Sequence, residues 1–155
     1  FILGAGYVGT ALLADFKKQG IAACASTTRE EKVDFLKTHT DHVYVLKSSD
    51  IPQLKAVIDQ CDAMVILVAP KNSARYEETY LSTAKAVASI LKERTAPFTL
   101  IYTSSTGVYQ GTSCEWVDET TPLSPASENT KILIETEKTY LNCQNSFINV
   151  CILVS

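Results

Sequence analysis

The sequence predicts an α/β fold, a doubly wound parallel sheet with helices on both faces. Three observations lead there. Strand-like apolar runs alternate with helix-like amphipathic runs along the chain. The run Ala63-Met64-Val65-Ile66-Leu67-Val68 is continuously apolar, as suits a strand covered on both faces. Gly4-Ala5-Gly6-Tyr7-Val8-Gly9 sets three glycines at G-x-G-x-x-G spacing where a strand gives way to a helix. Together they describe a Rossmann-type architecture, whose right-handed crossovers leave a ligand crevice at the carboxyl ends of the strands.

The elements follow in order. Phe1-Ile2-Leu3 is a short apolar stub. Tyr7 to Gln19 reads as a helix, with Val8, Leu12 and Phe16 recurring at spacing four, and Gly20 ends it. Ile21 to Ser26 is a strand. Glu30 to Lys37 is helical, with Val33 and Leu36 on one face. Val43 to Leu46 is a third strand, and Ile51 to Gln60 a short helix with Pro52 in its first turn. After the fourth strand, Ala63 to Val68, a long helix is expected over Arg75 to Arg94. Its apolar stripe is Tyr80, Ala84, Val87, Ala88 and Leu91. Phe98 to Thr103 is the fifth strand. A long polar loop, about Ser104 to Pro125, precedes a helix at Glu128 to Leu141 and a strand at Phe147 to Val154.

With 155 residues the chain is the size of one domain, and 46% hydrophobic content suffices for a core. The apolar beginning at Phe1 and the strand at the other end both read as cut. Residues 1–155 are therefore expected to be the dinucleotide-binding domain of a longer protein, with a substrate domain elsewhere. The net charge of −3 gives no reason to expect nucleic acid. Arg29-Glu30-Glu31-Lys32, the only charge run, is mixed in sign and reads most simply as a solvated helix start. No apolar run is long enough for a membrane span. The five cysteines, Cys24, Cys61, Cys114, Cys143 and Cys151, lack metal-ligand spacing, and His39 and His42 lack partner ligands. This usage points to a reducing, cytoplasmic compartment.

Each glycine of the turn answers a physical need. Gly4 permits the tight turn, Gly6 lets a phosphate approach the backbone, and Gly9 lets the helix pack close to the strand. The helix start then offers amides and a positive dipole end to a pyrophosphate, so Gly4, Gly6, Tyr7, Val8 and Gly9 are candidate cofactor-binding residues. An acidic residue about 20 residues on would hold the ribose of NAD. Here the second strand ends Ser26-Thr27-Thr28-Arg29. Thr28 and Arg29 can bind a 2′-phosphate, which favours NADP over NAD. The other reading is that Thr28 caps the next helix and Arg29 is solvated.

The segment Tyr102-Thr103-Ser104-Ser105-Thr106-Gly107-Val108-Tyr109 follows. With the glycine turn, Asp62-Ala63-Met64-Val65, and Trp116-Val117-Asp118-Glu119-Thr120-Thr121-Pro122, the chain resembles extended short-chain dehydrogenases/reductases. That group contains nucleotide-sugar epimerases and dehydratases. The resemblance implies hydride transfer through a nicotinamide cofactor, a homodimer through the Arg75 to Arg94 helix and the last helix, and a Ser, Tyr and Lys at the active site. Ser105 matches the Ser, with Ser104 beside it, and Lys131 matches the Lys. Thr103, Val68, Ala69 and Pro70 would lie along the cofactor, Pro70 where its ribose passes. The tyrosine position, four residues before Lys131, holds Ser127. A Ser hydroxyl is too weak an acid to replace a phenol. Neither Tyr109 nor Tyr140 has a lysine four residues later. The stretch resembles atypical members that lack the active-site tyrosine. UDP-sugar dehydrogenases open on the same glycine turn, but their acidic residue at the second strand tip is absent here.

Two functions follow. One is an NADP-dependent oxidoreductase or epimerase-like enzyme acting on a small polar or sugar-derived substrate. The other is a non-catalytic module that senses or carries NADP(H).

Overall fold

A computed structural model of the chain describes residues 1–70, 72–109 and 116–155. The strands are β1 (Ile2–Leu3), β2 (Cys24–Thr27), β3 (His42–Val45), β4 (Ala63–Ile66), β5 (Phe98–Ser104) and β6 (Ile148–Val154). They form one six-stranded sheet in the order β3-β2-β1-β4-β5-β6. Every pairing is parallel. The order reverses direction between β1 and β4, and there the crevice opens. This is the predicted Rossmann-type doubly wound α/β fold.

The helices are α1 (Tyr7–Gln19), α2 (Val33–Lys37), α3 (Ile51–Ile58), α4 (Thr83–Leu91) and α5 (Glu128–Leu141). On one face, Leu13 of α1 and Leu36 of α2 bury against Ile2 and Ala25. On the other, α3, α4 and α5 bury Leu54, Ile58, Val87, Leu91 and Tyr140 against Met64, Ile66, Leu100, Tyr102 and Ile148. Among the described residues no helix is long and apolar enough to cross a membrane.

Local sequence explains the boundaries. Gly20 adopts a left-handed conformation with φ 71°, and the Ile21 amide reaches back to the Phe16 carbonyl at 2.9 Å. That closes α1 in the Schellman manner. Ile21 is spent on this cap, so β2 begins at Cys24 rather than Ile21. Asp50 caps α3 by accepting from the Gln53 amide at 3.1 Å, and Pro52 sits in the first turn. Ser127 caps α5 in the same way, accepting from the Thr130 amide at 3.1 Å.

Two expectations are revised. The buried face of α1 runs through Gly9 and Leu13, and Val8 is 58% exposed. The small Gly9 brings the helix close to β1 and rotates the Val8-Leu12-Phe16 stripe partly outward. The long helix expected from Arg75 to Arg94 is in fact three pieces. A 3₁₀ turn spans Ser73–Arg75, a π-helical segment Glu77–Ser82, and then α4 runs from Thr83 to Leu91. The widened turn keeps Tyr76 and Tyr80 together, edge to face at 5.2 Å. These rings pack beside Val108, Leu133 and Ile134, while Glu78, Thr79, Ser82 and Thr83 line the cleft. The end of α4 unwinds because Arg94 turns to donate to the Ile58 and Cys61 carbonyls at 3.2 and 2.8 Å. Within the expected polar loop, a 3₁₀ turn covers Thr106–Tyr109; residues 110–115, with Cys114, lie outside the described residues.

Candidate functional site

The carboxyl ends of β1 to β4 open into a cleft of about 630 Å³. Its floor is the glycine turn. Gly4 has φ 93°, a conformation glycine tolerates without strain. Its amide donates to the Ser26 hydroxyl at 3.2 Å, and the Ala5 amide donates to the Ser26 carbonyl at 2.8 Å. The turn is thus pinned to the tip of β2. A Cβ on Gly4 would meet the Leu67 and Val68 backbone at 3.1 Å, and one on Gly9 the Gly4 carbonyl oxygen at 3.0 Å. A Cβ on Gly6 would meet nothing within 4 Å.

The protein's own packing therefore demands Gly4 and Gly9 but makes no demand for Gly6. The space above Gly6 is open, as a group approaching the backbone there requires. No side chain caps the start of α1 and no acidic residue stands in its first turn. The leading amides and the positive end of the helix dipole are left for an anion. These residues fit the diphosphate of a dinucleotide.

The walls are hydroxyl-rich and basic. Thr28 and Arg29 line the cleft, as do Val68 and Ala69. So do Lys32, Lys47 and Arg75, against a single carboxylate, Glu78. Arg29 is weakly paired with Glu31 at 3.8 Å, and Arg75 with Glu78 at 3.3 Å. Thr28 makes no cap for the following turn; Arg29 occupies the cap position with no side-chain bond. Ser48 and Thr83 meet at 2.6 Å between their hydroxyls, joining the loop after β3 to α4 across the cleft lining. Arg29 and Lys32, expected as part of a solvated helix start, line the cleft instead, and Lys47, Ser48, Ser49 and Thr83 went unremarked in the sequence. Lys47 to Ser49 directly follow a strand, and the rule that ligands bind outside the carboxyl ends of strands would have flagged them.

The remaining candidates lie elsewhere. Tyr7 is 95% exposed, and Tyr7, Val8 and Gly9 open α1 without lining the cleft. Pro70 follows Ala69 outside the cleft lining. Thr103 donates from its hydroxyl to the Ile66 carbonyl at 3.3 Å, tying β5 to β4. Ser105 accepts from the Gly107 amide at 3.2 Å and opens the 3₁₀ turn. Lys131 is exposed and paired with Glu128 at 3.1 Å. Ser105 and Lys131 thus have separate partners, and neither lines the cleft.

Beneath Ser105 is a buried polar layer the sequence reading missed. Ser104 donates to Glu137, and both are buried. Burial holds the Glu137 carboxyl above its ordinary range, against the lowering effect of the Ser104 bond. The alternation of β5 and the buried face of α5 bring this pair together, but nothing local in the sequence marks a single helix glutamate as inward. The Tyr102 and Tyr140 rings pack at 4.8 Å, and neither buried hydroxyl has a hydrogen-bond partner among the described residues. Four phenols, Tyr80, Tyr102, Tyr109 and Tyr140, are shifted upward, each chiefly by burial. No group of three or more His, Cys, Asp or Glu among the described residues is placed to hold a metal.

The fold has many solved counterparts. UDP-Glc/GlcNAc 4-epimerase from Campylobacter jejuni superposes with a TM-score of 0.83 at 22% identity, over 99% of this chain and 52% of that one. UDP-glucuronic acid 4-epimerase from Bacillus cereus, a mutant solved with a fluorinated UDP-glucuronic acid and NAD, gives 0.82 at 16%, over 99% and 55%. UDP-glucose 4-epimerase from Brucella ovis, in complex with NAD, gives 0.82 at 14%, over 99% and 50%. The chain thus spans about half the length of these structures. No curated protein matches it. The model of the NAD dependent epimerase/dehydratase family matches residues 1–154, nearly the whole sequence, and the chain belongs to that family.

Proposed function

We propose that this chain holds the cofactor for a nicotinamide-dependent oxidoreductase or epimerase/dehydratase-like protein acting on a small polar or sugar-derived substrate. The observation that carries this reading is the open space above Gly6 at an uncapped helix start, in a cleft at the switch point. When bound, a nicotinamide cofactor supplies reversible hydride transfer. Gly4, Gly6 and the amides of Tyr7, Val8 and Gly9 bind the diphosphate. Val68 and Ala69 border the nicotinamide side, with Pro70 and Thr103 outside the lining. Ser105 orients a substrate oxygen by hydrogen bonding, and Lys131 supplies charge at the start of α5. The solved counterparts with UDP-sugars in their names support the substrate class.

Within this reading the cofactor is NADP in preference to NAD. The tip of β2 carries Thr28 and Arg29 and no carboxylate, and Lys32 and Lys47 add positive charge to the same cleft. A 2′-phosphate gains charge-assisted hydrogen bonds there. Pairing of two copies through α4 and α5 also belongs to this reading. The faces they would bring together expose Lys85, Lys92, Glu128, Glu135 and Lys138, so ion pairs rather than apolar burial would carry it.

Calorimetric titration with NADPH and NADH tests the binding claim. Saturable heat with NADPH, and weaker heat with NADH, is expected; no heat with either would end the proposal. A second reading, a non-catalytic NADP(H) sensor, is favoured by one local fact. Ser127, at the tyrosine position, is committed to capping α5, and the four shifted phenols are all harder to ionise than usual. Ser105→Ala separates the two. An enzyme loses rate while keeping cofactor affinity; a sensor keeps its full response.

A further inference from the structure

Two of the four cysteines among the described residues stand together at the end of the sheet opposite the cleft. Cys24 opens β2, and Cys61 lies in the turn between α3 and β4. Their sulfurs are 3.7 Å apart, although 37 residues separate them in sequence. Both side chains are half-buried and pack against the larger core cluster. The turn carrying Cys61 is held in place. Its amide donates to the Ile58 carbonyl at 3.1 Å, its thiol to the Val57 carbonyl at 3.2 Å, and Arg94 clamps the Ile58 and Cys61 carbonyls. The Cys24 end is held by the pairing of β2 with β1 and β3. Cys143 and Cys151 have no sulfur neighbour among the described residues; Cys143 donates to the Thr139 carbonyl, and Cys151 is exposed on β6.

We propose that Cys24 and Cys61 form a redox-modifiable dithiol that closes to an intramolecular disulfide under peroxide. The sulfurs need only close from 3.7 Å to about 2.05 Å. The Cys61 thiolate attacks one peroxide oxygen, the O–O bond breaks, and hydroxide leaves, giving a sulfenic acid at Cys61. The Cys24 sulfur then attacks the Cys61 sulfur and displaces its oxygen as water. In total, two thiols and one hydrogen peroxide give one disulfide and two waters. Burial pushes the Cys24 thiol up to about 11, so Cys24 rests protonated until it meets the oxidised Cys61 sulfur.

The bond would enclose β2, α2, β3 and α3. That unit carries Thr28, Arg29, Lys32 and Lys47, the basic wall of the cleft. It would tie the unit at its far end without touching the lining. The closed loop restricts the unfolded chain, so oxidation should raise Tm by roughly 5–10 °C.

The test uses the whole chain, freed of reductant and treated with hydrogen peroxide. Remaining thiols are then blocked with N-ethylmaleimide, and the protein is digested with trypsin without reduction. The expected product is peptide 19–29 joined to peptide 56–71, two hydrogens lighter than their sum. The rise in Tm should accompany it, and should be absent in Cys61→Ser and in Cys24→Ala. The peptide map uses wild-type protein, so it stands even if a variant folds poorly. Recovery of both residues as maleimide adducts while Cys151 is oxidised would overturn the proposal. So would disulfides that run between chains, or a rise in Tm that survives in either variant.

Discussion

Gly6 and Gly9 stand three residues apart, yet a methyl group at each meets opposite surroundings. At Gly9 it collides with the Gly4 carbonyl oxygen at 3.0 Å and the Ile2 side chain at 3.2 Å. Gly9→Ala is therefore expected to destabilise the fold by about 1–3 kcal/mol, read as a lower denaturation midpoint. At Gly6 the methyl enters open space. Gly6→Ala should leave the midpoint within about 0.5 kcal/mol of wild type while weakening dinucleotide binding at least tenfold in calorimetry. A matching loss of stability at Gly6 would show that the turn serves packing alone. Arg29 gives a second residue-scale prediction. Arg29→Ala should weaken NADPH by about tenfold or more and leave NADH nearly unchanged, as removal of a charge-assisted bond to one phosphate requires. The glycines were legible in the sequence because their spacing encodes backbone geometry. Lys32 and Lys47 were not, because only the folded sheet brings the ends of β2 and β3 to one cleft.

Helix ends carry the local energetics of the elements. Ser127→Ala should cost about 1 kcal/mol through loss of the bond to the Thr130 amide, seen as a fall in Tm. The expected limits of α5, Glu128 to Leu141, match the structure, whereas the capping role of Ser127 emerges only there. The π-helical segment Glu77–Ser82 was not readable, since its widened turn answers tertiary demands on both sides: tyrosines toward α5 and hydroxyls toward the cleft. The buried Glu137 of α5 gives a pH prediction. Its folded value is raised, so the native state holds this proton more tightly than the unfolded chain. That contribution to stability is fully present below the ordinary value of 4.5 and is lost as pH rises through the folded value. Glu137→Gln should therefore flatten the decline of Tm with rising pH above that point. A decline of unchanged slope in the variant would show that Glu137 is not its source.

At the scale of the whole molecule, strand alternation and one apolar run were enough to anticipate the sheet, because the crossover rules leave few topologies to choose from. The face covered by α1 and α2 is less complete than the pattern suggested, with Asn149, Cys151 and Leu153 of β6 exposed. A ligand held only by the folded form must stabilise it. At a free concentration of about 100 times Kd, NADPH should add about 2.7 kcal/mol, or roughly 5–10 °C in Tm, and an absent shift would contradict binding in the cleft. The contact between Ser48 and Thr83 spans the two mononucleotide-sized lobes, on either side of the β1–β4 seam. It acts as a latch on a book whose spine is that strand pair. With Thr83→Val the latch is gone, and the margins of the book should part more often. Amide hydrogens of the Lys47 to Asp50 segment would then exchange faster with solvent deuterium, and an occupant lying across the fold would close it again.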